Sequence, residues 1–305
     1  MERFLVTGAL GCLGAWTVKT LVHEGVAVVG LDAGSNDSRL RLVMTKGEID
    51  AVTLVAGDIT EPGLLEHVLR EHEIRHVIHL AALQVPFCKA DPVLGASVNV
   101  VGTVSVFEAV KRCREQVSSL VYASSAARYG SADDRDSPGT HYGVYKLANE
   151  GTARIYWQDD GLASIGFRPT VVYGAGRDQG LTSAPNLAII AAARGEPYRM
   201  PYGGELHYNY AADAARTFIL AARASREGAP VHDLPGRLVG MEEVVATIEE
   251  AVPEAAGRIT FEDVPLGGSG RYATDPTIDG LGAVPITPFA DGVRETVEYY
   301  RLAPD

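Results

Sequence analysis

The sequence predicts an α/β protein built on a doubly wound parallel sheet, with a smaller mixed α/β lobe at its C-terminal end. Short apolar runs alternate with helical stretches over residues 1–172. The runs are continuous rather than alternating in polarity, which is typical of strands buried on both faces. A glycine-rich loop joins the first strand to the first helix.

The elements of the first half follow one another as strand–helix units. We predict strands at 3–7, 26–31, 52–56, 76–80, 120–124 and 163–168. We predict helices at 11–24, 91–114 and 141–160, and a further helix capped by Thr60 with a proline in its first turn. Repeated units of this kind give a parallel sheet with helices on both faces.

The pattern loosens after residue 172. Loops rich in glycine and proline fall at 173–180, 200–204 and 265–270. Helical stretches lie between and after them, at 209–226, 241–252 and 288–301. We therefore predict one domain over 1–172, to which some later segments return, and a smaller lobe over most of 173–305.

Composition excludes several classes of partner. The chain carries 27 basic and 39 acidic residues, a formal charge of −12. Such a surface disfavours nucleic acid and anionic membranes. Its three cysteines, Cys12, Cys88 and Cys113, are odd in number and widely spaced, so we expect neither disulfides nor a metal site. We find no signal peptide and no apolar stretch of membrane-spanning length, and expect a cytoplasmic protein.

The loop after the first strand has the spacing of a dinucleotide-binding turn. Gly8 permits the tight turn, Gly11 lets the backbone approach a pyrophosphate, and Gly14 allows the helix to pack closely on the strand. Phosphates would lie at the helix N-terminus, near the free N–H groups. The loop residues we expect at the cofactor also include Leu10, Cys12 and Leu13. This loop predicts a Rossmann-type sheet.

The second strand ends at Asp32, where an acidic residue binds the adenosine ribose hydroxyls. A carboxylate there repels a 2′-phosphate, so NAD is favoured over NADP, although Arg39 and Arg41 lie nearby. Asp58 and Ile59 follow the third strand, where an adenine contact falls; a turn-capping role for Asp58 remains open.

Tyr142 and Lys146 are four residues apart in a predicted helix and share one face. A lysine ammonium and a positive nicotinamide ring favour a phenolate and lower the tyrosine pKa. Tyr142 can then exchange the proton of a secondary alcohol. Ser125 ends the preceding strand and can bind the same oxygen, while Lys146 can also hold the nicotinamide ribose.

Together these motifs resemble the extended short-chain dehydrogenase/reductases, in the NAD-dependent epimerase/dehydratase group. The segments that carry the resemblance are TGALGCLG at 7–14, HLAAL at 79–83, NVVGT at 99–103, ASSAARYG at 123–130, YGVYK at 142–146 and RPTVVYGAG at 168–176. The resemblance implies Ser125, Tyr142 and Lys146 as catalytic residues. It places around the cofactor Gly8, Gly11, Gly14, Asp32, Asp58, Ile59, Leu80, Ala81, Ala82, Asn99, Ser124, Tyr142, Lys146 and the backbone after Arg168. Asn99 can alternatively bend or cap a helix.

Departures from the group narrow the reaction. Dehydratases carry Asp-Glu after the catalytic hydroxyl residue, but Ala126 and Ala127 stand here. Ala127 also lacks the thiol that enolate-forming epimerases use, and Cys88 is interpreted as a buried thiol. Leu206 stands where nucleotide-sugar enzymes have an arginine for the diphosphate, although Arg271 could supply one.

The expected substrate contacts come from loops. They are Gln84, Ser125, Ala126, Arg177, Thr182, Ser183 and Arg271. Arg177 could bind a carboxylate, and Thr182 and Ser183 sugar hydroxyls. Asn186 and Leu187 resemble the pair beside the nucleotide in epimerases.

We therefore expect an NAD-dependent oxidoreductase that moves a hydride at a secondary alcohol of a small sugar-like or sugar-acid substrate. The alternative is a nucleotide-sugar 4-epimerase of the UDP-hexose type that retains its NAD. A binding protein without turnover is disfavoured, because Tyr142 and Lys146 are both present. Apolar residues on more than one face of helices 91–114 and 141–160 favour a homodimer.

Overall fold

A computed structural model describes residues 2–130, 134, 137–224, 227–266 and 275–302. The strands are β1 Arg3–Thr7, β2 Ala27–Asp32, β3 Thr53–Ala56, β4 His76–His79, β5 Ser119–Ala123, β6 Ile165–Arg168, β7 Val171–Tyr173, β8 Tyr198–Met200, β9 Glu205–Tyr210, β10 Val231–Asp233, β11 Arg237–Gly240, β12 Ile259–Phe261, β13 Thr277–Ile278 and β14 Gly282–Ala283.

The helices lie between these strands. They are α1 Cys12–His23, α2 Ser38–Val43, α3 Lys46–Asp50, α4 Leu64–Glu71, α5 Val85–Ala90, α6 Pro92–Ala96, α7 Gly102–Arg112, α8 His141–Asp160, α9 Ala184–Ala193, α10 Ala211–Arg223, α11 Met241–Ala251 and α12 Phe289–Leu302. A π-helical turn, Ser97–Val101, joins α6 to α7.

The central sheet has seven parallel strands in the order β10-β6-β5-β4-β1-β2-β3. The chain runs outward from β1 to β3 and then returns to the other side of β1 with β4. The crevice at this reversal, outside the carboxyl ends of β1 and β4, is where open α/β sheets bind ligands. The fold class is the doubly wound, Rossmann-type sheet that the sequence predicts.

Both faces of the sheet are buried, as the continuous apolar strands require. On β1, Phe4 packs in one core cluster and Leu5 in the other, because successive side chains point to opposite faces. The first cluster includes Phe218 of α10, and the second includes Phe107 of α7.

The C-terminal part forms small sheets beside the main one, β11-β9-β7 and β12-β8. Two later segments return to the main sheet. β10 pairs with β6, and α10 packs against α1 and against β4 and β5. The domain boundary at residue 172 stays a prediction, because β10 and α10 follow it in the chain and yet pack with the main sheet.

The predicted helix start at Thr60 is wrong. The Thr60 backbone N–H and hydroxyl both donate to Asp58 Oδ1, each at 2.8 Å, so these residues form a turn. The helix α4 begins at Leu64, after Gly63 in the left-handed conformation at φ 81°. Because the Asp58 side chain accepts these hydrogen bonds, the backbone at Thr60 forms a turn instead of the first turn of a helix.

The stretch Pro92–Arg112 corrects a second expectation, since by length and composition this 21-residue helical run could span a membrane. Small polar residues within it obscured this in the sequence. Core helices of globular proteins pass the same test, and here Val106, Phe107 and Val110 are buried against the sheet. Val101, in contrast, is 54% exposed.

Candidate active site

A cavity of about 1020 Å³ runs along the carboxyl ends of the parallel strands. One end is lined by the glycine loop and by Asp32 and Asp58, and the other by Leu206, His207 and Leu266. The volume is at the upper limit for a single small-molecule site, which suits two ligands placed end to end.

Steric contacts explain the glycines at the first end. A Cβ on Gly8, whose φ is +71°, would lie 2.7 Å from the backbone nitrogen of Ala81. A Cβ on Gly14 would lie 2.0 Å from the carbonyl oxygen of Gly8. Gly11 is the N-cap of α1 and supplies no side-chain cap, so the first N–H groups of the helix remain available for a phosphate. This cradle fits a dinucleotide.

Asp32 is held at the edge of this cradle. Its Oδ2 accepts a hydrogen bond from Leu10 N at 3.0 Å and its Oδ1 accepts one from Gly34 N at 2.9 Å. A carboxylate has further lone pairs for ribose hydroxyls. Arg39 is paired with Asp178, and Arg41 with Asp37. Both guanidinium groups are therefore engaged with other carboxylates.

The predicted cofactor residues meet along the cavity wall. Those that line it are Gly8, Leu10, Gly11, Cys12, Leu13, Gly14, Asp32, Asp58, Ile59, Leu80, Ala81, Ala82, Ser124, Tyr142 and Lys146. Asp58 Oδ1 accepts a hydrogen bond from Thr60 N, so Asp58 caps a turn in addition to lining the cavity. The hydroxyl of Ser124 donates to Glu150 rather than into the cavity.

The three predicted catalytic residues come together at the middle of the cavity. Ser125 follows β5 and caps a short 3₁₀ turn, accepting a hydrogen bond from Ala127 N at 3.1 Å. Tyr142, in the first turn of α8, lies close enough to Ser125 for the Ser125 hydroxyl to lower the pKa of Tyr142. Lys146 Nζ donates to the carbonyl oxygen of Ala123 at 2.7 Å and lies 5.5 Å from the centre of the Tyr142 ring.

Burial governs the protonation of this group. It raises the pKa of Tyr142, while the nearby Ser125 hydroxyl and the charge of Arg177 lower it in part. Burial also lowers the pKa of Lys146 to about 8. In the protein without its cofactor, desolvation therefore outweighs the interactions that lower the pKa of Tyr142. The expectation that Lys146 and the nicotinamide ring together favour the phenolate stays a prediction.

Three residues predicted to contact ligands have side chains outside the cavity wall, although Pro169 and Thr170, which follow Arg168, do line it. Asn99 lies in the π-helical turn, where its Oδ1 accepts from Leu83 N at 2.7 Å and its Nδ2 donates to Leu83 O at 2.9 Å. Arg168 pairs with Glu150, and the Ser183 hydroxyl donates to Gly180 O at 2.8 Å. Each side chain satisfies a buried protein group instead of a ligand.

The substrate end of the cavity has a small polar group. Arg177 Nη1 donates to Gln84 Oε1 at 3.2 Å, and its Nη2 donates to Thr182 Oγ1 at 3.3 Å. Its buried Nε has no hydrogen-bond partner within the part of the chain that the structure describes. Ala126 and Leu206 also line the cavity, and Arg271 lies outside the described residues.

The cysteines do not form a reactive group. Cys88 is fully buried, its thiol donates to Leu83 O at 3.3 Å, and burial raises its pKa. Burial raises the pKa of Cys12 to about 11. Within the described ranges no cluster of three or more His, Cys, Asp or Glu side chains could hold a metal ion.

Sequence reasoning missed two buried polar residues beside the site. His79 ends β4 and bonds Thr7 and Thr103. Glu150 bonds Ser124 and Arg168. A signal for Glu150 was present, because it follows Lys146 by four residues and so shares its helix face.

Comparison with known proteins agrees with this geometry. A profile of the NAD dependent epimerase/dehydratase family matches residues 4–234. The chain is 29% identical to a UDP-glucose 4-epimerase of Mycolicibacterium smegmatis, with 98% of each chain covered. It is 25% identical to a dTDP-glucose 4,6-dehydratase of Xanthomonas campestris, covering 98% of this chain and 93% of that one. A solved structure of a Thermus thermophilus UDP-glucose 4-epimerase, complexed with NAD, superposes with a TM-score of 0.82 at 27% identity, covering 99% and 100% of the two chains.

Proposed function

Because the chain belongs to the NAD-dependent epimerase/dehydratase family, we propose that it moves a hydride at one secondary carbinol of a small sugar or sugar acid. NAD is its cofactor, and supplies the hydride acceptor and a positively charged ring when bound. One observation carries the proposal: Ser125 and Tyr142 lie close together on the cavity that begins at the glycine loop.

Each residue of the pair has a separate task. Tyr142 takes the hydroxyl proton of the substrate or returns it, and Ser125 holds the reacting oxygen. Lys146, whose pKa is about 8, is a cation at neutral pH and adds positive charge beside the phenol ring. Arg177 acts in the same direction, because its charge lowers the pKa of Tyr142.

The two residues that directly follow Ser125 supply no second proton-transfer group. Ala126 and Ala127 follow it on the cavity wall, and a methyl group cannot act as an acid or a base. The Cys88 thiol is buried and bonded to the backbone. Elimination of water requires a further acid/base, so oxidation and reduction at one carbon fit these residues better than dehydration.

The substrate end favours a small anionic or hydroxylated molecule. The basic side chains that the structure describes along the cavity are Arg39, Lys146 and Arg177. Arg39 is paired with Asp178, and Lys146 lies at the reacting centre. Arg177 therefore remains for a carboxylate, with Gln84 and Thr182 fixing its guanidinium.

A nucleotide-sugar 4-epimerase is the second candidate. The full-length similarity to UDP-glucose 4-epimerases favours it. A single acid/base also suffices, since the ketone is reduced again at the same carbon. Against it stands Leu206, an apolar side chain where a diphosphate would need a charged partner.

A panel of sugars, sugar acids and nucleotide sugars, each incubated with the enzyme and NAD, separates the two candidates. Our proposal predicts that a small sugar or sugar acid produces free NADH, read by its absorbance. Tyr142→Phe protein, prepared in parallel, controls for contaminating dehydrogenases. If nucleotide sugars alone interconvert, with no net NADH, the dehydrogenase assignment is wrong and the epimerase assignment replaces it.

A further inference from the structure

Glu150 lies one helical turn beyond Lys146 on α8, with a side chain only 9% exposed. Its Oε1 accepts a hydrogen bond from the Ser124 hydroxyl at 2.5 Å. Arg168 donates Nε to Oε1 and Nη2 to Oε2, both at 2.7 Å. Removing a carboxylate from water costs free energy, and the bidentate ion pair with Arg168 offsets that cost here.

The two charged residues of α8 hold consecutive residues of the chain. Lys146 Nζ donates to the carbonyl oxygen of Ala123, and Glu150 accepts from the hydroxyl of Ser124. The next residue is Ser125. Ala123 and Ser124, at the end of β5, are therefore bonded to the helix that carries Tyr142. They directly precede Ser125, the residue that must contact Tyr142.

Arg168 links Glu150 to β6, the strand next to β5, and to two further side chains. It ends β6, and its Nη1 donates to Tyr129 OH at 2.9 Å and to Asp233 Oδ1 at 3.3 Å. Burial opposes its charge most strongly, but Glu150, Tyr129 and Asp233 together raise the pKa of Arg168. The planar fork of arginine suits this bidentate geometry, which lysine cannot reproduce.

We propose that Glu150, held by Arg168, is a positioning residue that fixes Ser125 against Tyr142. The inference rests on the proposed roles of Ser125 and Tyr142. Glu150 itself does not line the cavity, so it acts through the strand end rather than on a ligand. Because the nearby Ser125 hydroxyl lowers the pKa of Tyr142, a displaced Ser125 would let that pKa rise.

Glu150→Gln is the primary variant, since it keeps the shape and removes the charge that orients Arg168. We expect kcat at neutral pH to fall about 10- to 100-fold, the usual cost of a small misplacement at a reacting centre. We expect KM to change little, and the midpoint of the rise of kcat with pH to move to higher pH. Glu108→Gln is the matched control, because Glu108 also accepts from a hydroxyl, the half-buried Tyr156 OH at 2.8 Å, away from the cavity.

A double-variant cycle tests whether Glu150 acts through Ser125. In a Ser125→Ala background, Glu150→Gln should add almost no further loss of kcat, because the hydroxyl that it positions is already absent. Losses that multiply would overturn the proposal. So would a Glu150→Gln enzyme with a lower melting temperature but an unchanged pH profile, as a purely structural role predicts.

A second readout does not depend on turnover. The ionisation of Tyr142 is followed by phenolate absorbance, as the difference between each protein and its Tyr142→Phe counterpart. We expect a higher midpoint in Glu150→Gln and an unchanged midpoint in Glu108→Gln. If no sugar is turned over, the proposed function fails while this titration still decides the positioning role. Should Glu150→Gln not fold, Ser124→Ala removes only the hydroxyl donor and must show the same upward shift.

Discussion

Arg39 and Asp178 form a bidentate ion pair that crosses from α2 to the loop after β7. Arg39 Nη1 also donates to the carbonyl oxygen of Leu10 in the glycine loop, at 3.3 Å. The loop after β7 is bonded to α1 as well, since Trp16 Nε1 donates to Ala175 O at 2.9 Å. The ion pair therefore joins α2 and the glycine loop to the loop after β7 at one side of the cavity.

Arg39→Ala should speed the loss of bound NAD. A partly exposed ion pair contributes about 1 kcal/mol, so we expect an increase of about fivefold in the dissociation rate. The measurement is the release of NAD into excess competitor, followed by the change in tryptophan fluorescence of the protein. Arg41→Ala is the control, because Arg41 pairs with Asp37 at the start of the same short helix and not with the loop after β7. Equal rates in the two variants would show that the ion pair does not retain the cofactor.

Tyr142→Phe should abolish turnover while NAD still binds. The change removes the hydroxyl that exchanges the proton and leaves the ring in place. Loss of a general acid/base costs about 10²- to 10⁴-fold in kcat. Tyr145→Phe is the matched control on the same helix, since its hydroxyl donates to Pro92 O at 2.8 Å. Full activity in Tyr142→Phe, measured by NADH formation, would remove Tyr142 from the mechanism.

Asp32→Asn should weaken NAD binding and narrow its advantage over NADP. The amide can still accept one backbone hydrogen bond, but the charge that repels a 2′-phosphate is lost. Losing a charge-assisted bond of about 1.5 kcal/mol raises the NAD dissociation constant about tenfold. Calorimetric titration with both cofactors measures the change. Asp37→Asn, at an exposed pair with Arg41, should leave both affinities as they are; an unchanged preference in Asp32→Asn would contradict the role of Asp32.

His79 should make the fold sensitive to acid. Burial, with a smaller effect of the Lys146 charge, lowers the pKa of His79 to about 3, against 6.5 in an unfolded chain. The unfolded state therefore binds more protons between these values, so stability falls as pH falls from 6.5 towards 3, by up to about 1.4 kcal/mol per pH unit. The free energy of unfolding is measured with denaturant between pH 7 and about pH 4.5, where His titrates. We expect His79→Gln to make this free energy depend less steeply on pH. His67→Gln, at a side chain 69% exposed, should keep the steeper dependence, and equal slopes would refute the assignment.

The homodimer remains a prediction with a defined surface. Val93, Val101, Val144 and Ile155 are 81%, 54%, 47% and 44% exposed on the helical run 92–112 and on α8. Covering such a face with a second copy would bury apolar area. Val101→Glu should reduce the mass in solution scattering from two chains to one. Leu302→Glu, at an equally apolar exposed position on α12, should not. A single-chain mass for the unaltered protein would refute the dimer.

Local patterns predicted much of the fold and part of the site. The limits of β1 and α8 agree with the predicted ranges, since each is set by an apolar run or a capped helix within one short segment. The start of α4 could not be predicted, because the Asp58 side chain competes for the backbone that would have begun the helix. α5 and α9 were not predicted, because their short apolar runs carry no clear period.

The sequence by itself determined the features that depend on near neighbours in the chain. The glycine spacing prescribes a turn that a Cβ would block, and the four-residue spacing puts Tyr142 and Lys146 on one helix face. Only the tertiary structure decided which side chains face the cavity. It attaches the side chain of Asn99 to Leu83 and that of Arg168 to Glu150, outside the cavity wall. It also brings Ser125 to Tyr142, because that contact depends on how β5, β6 and α8 pack, and packing between segments distant in sequence leaves no local pattern.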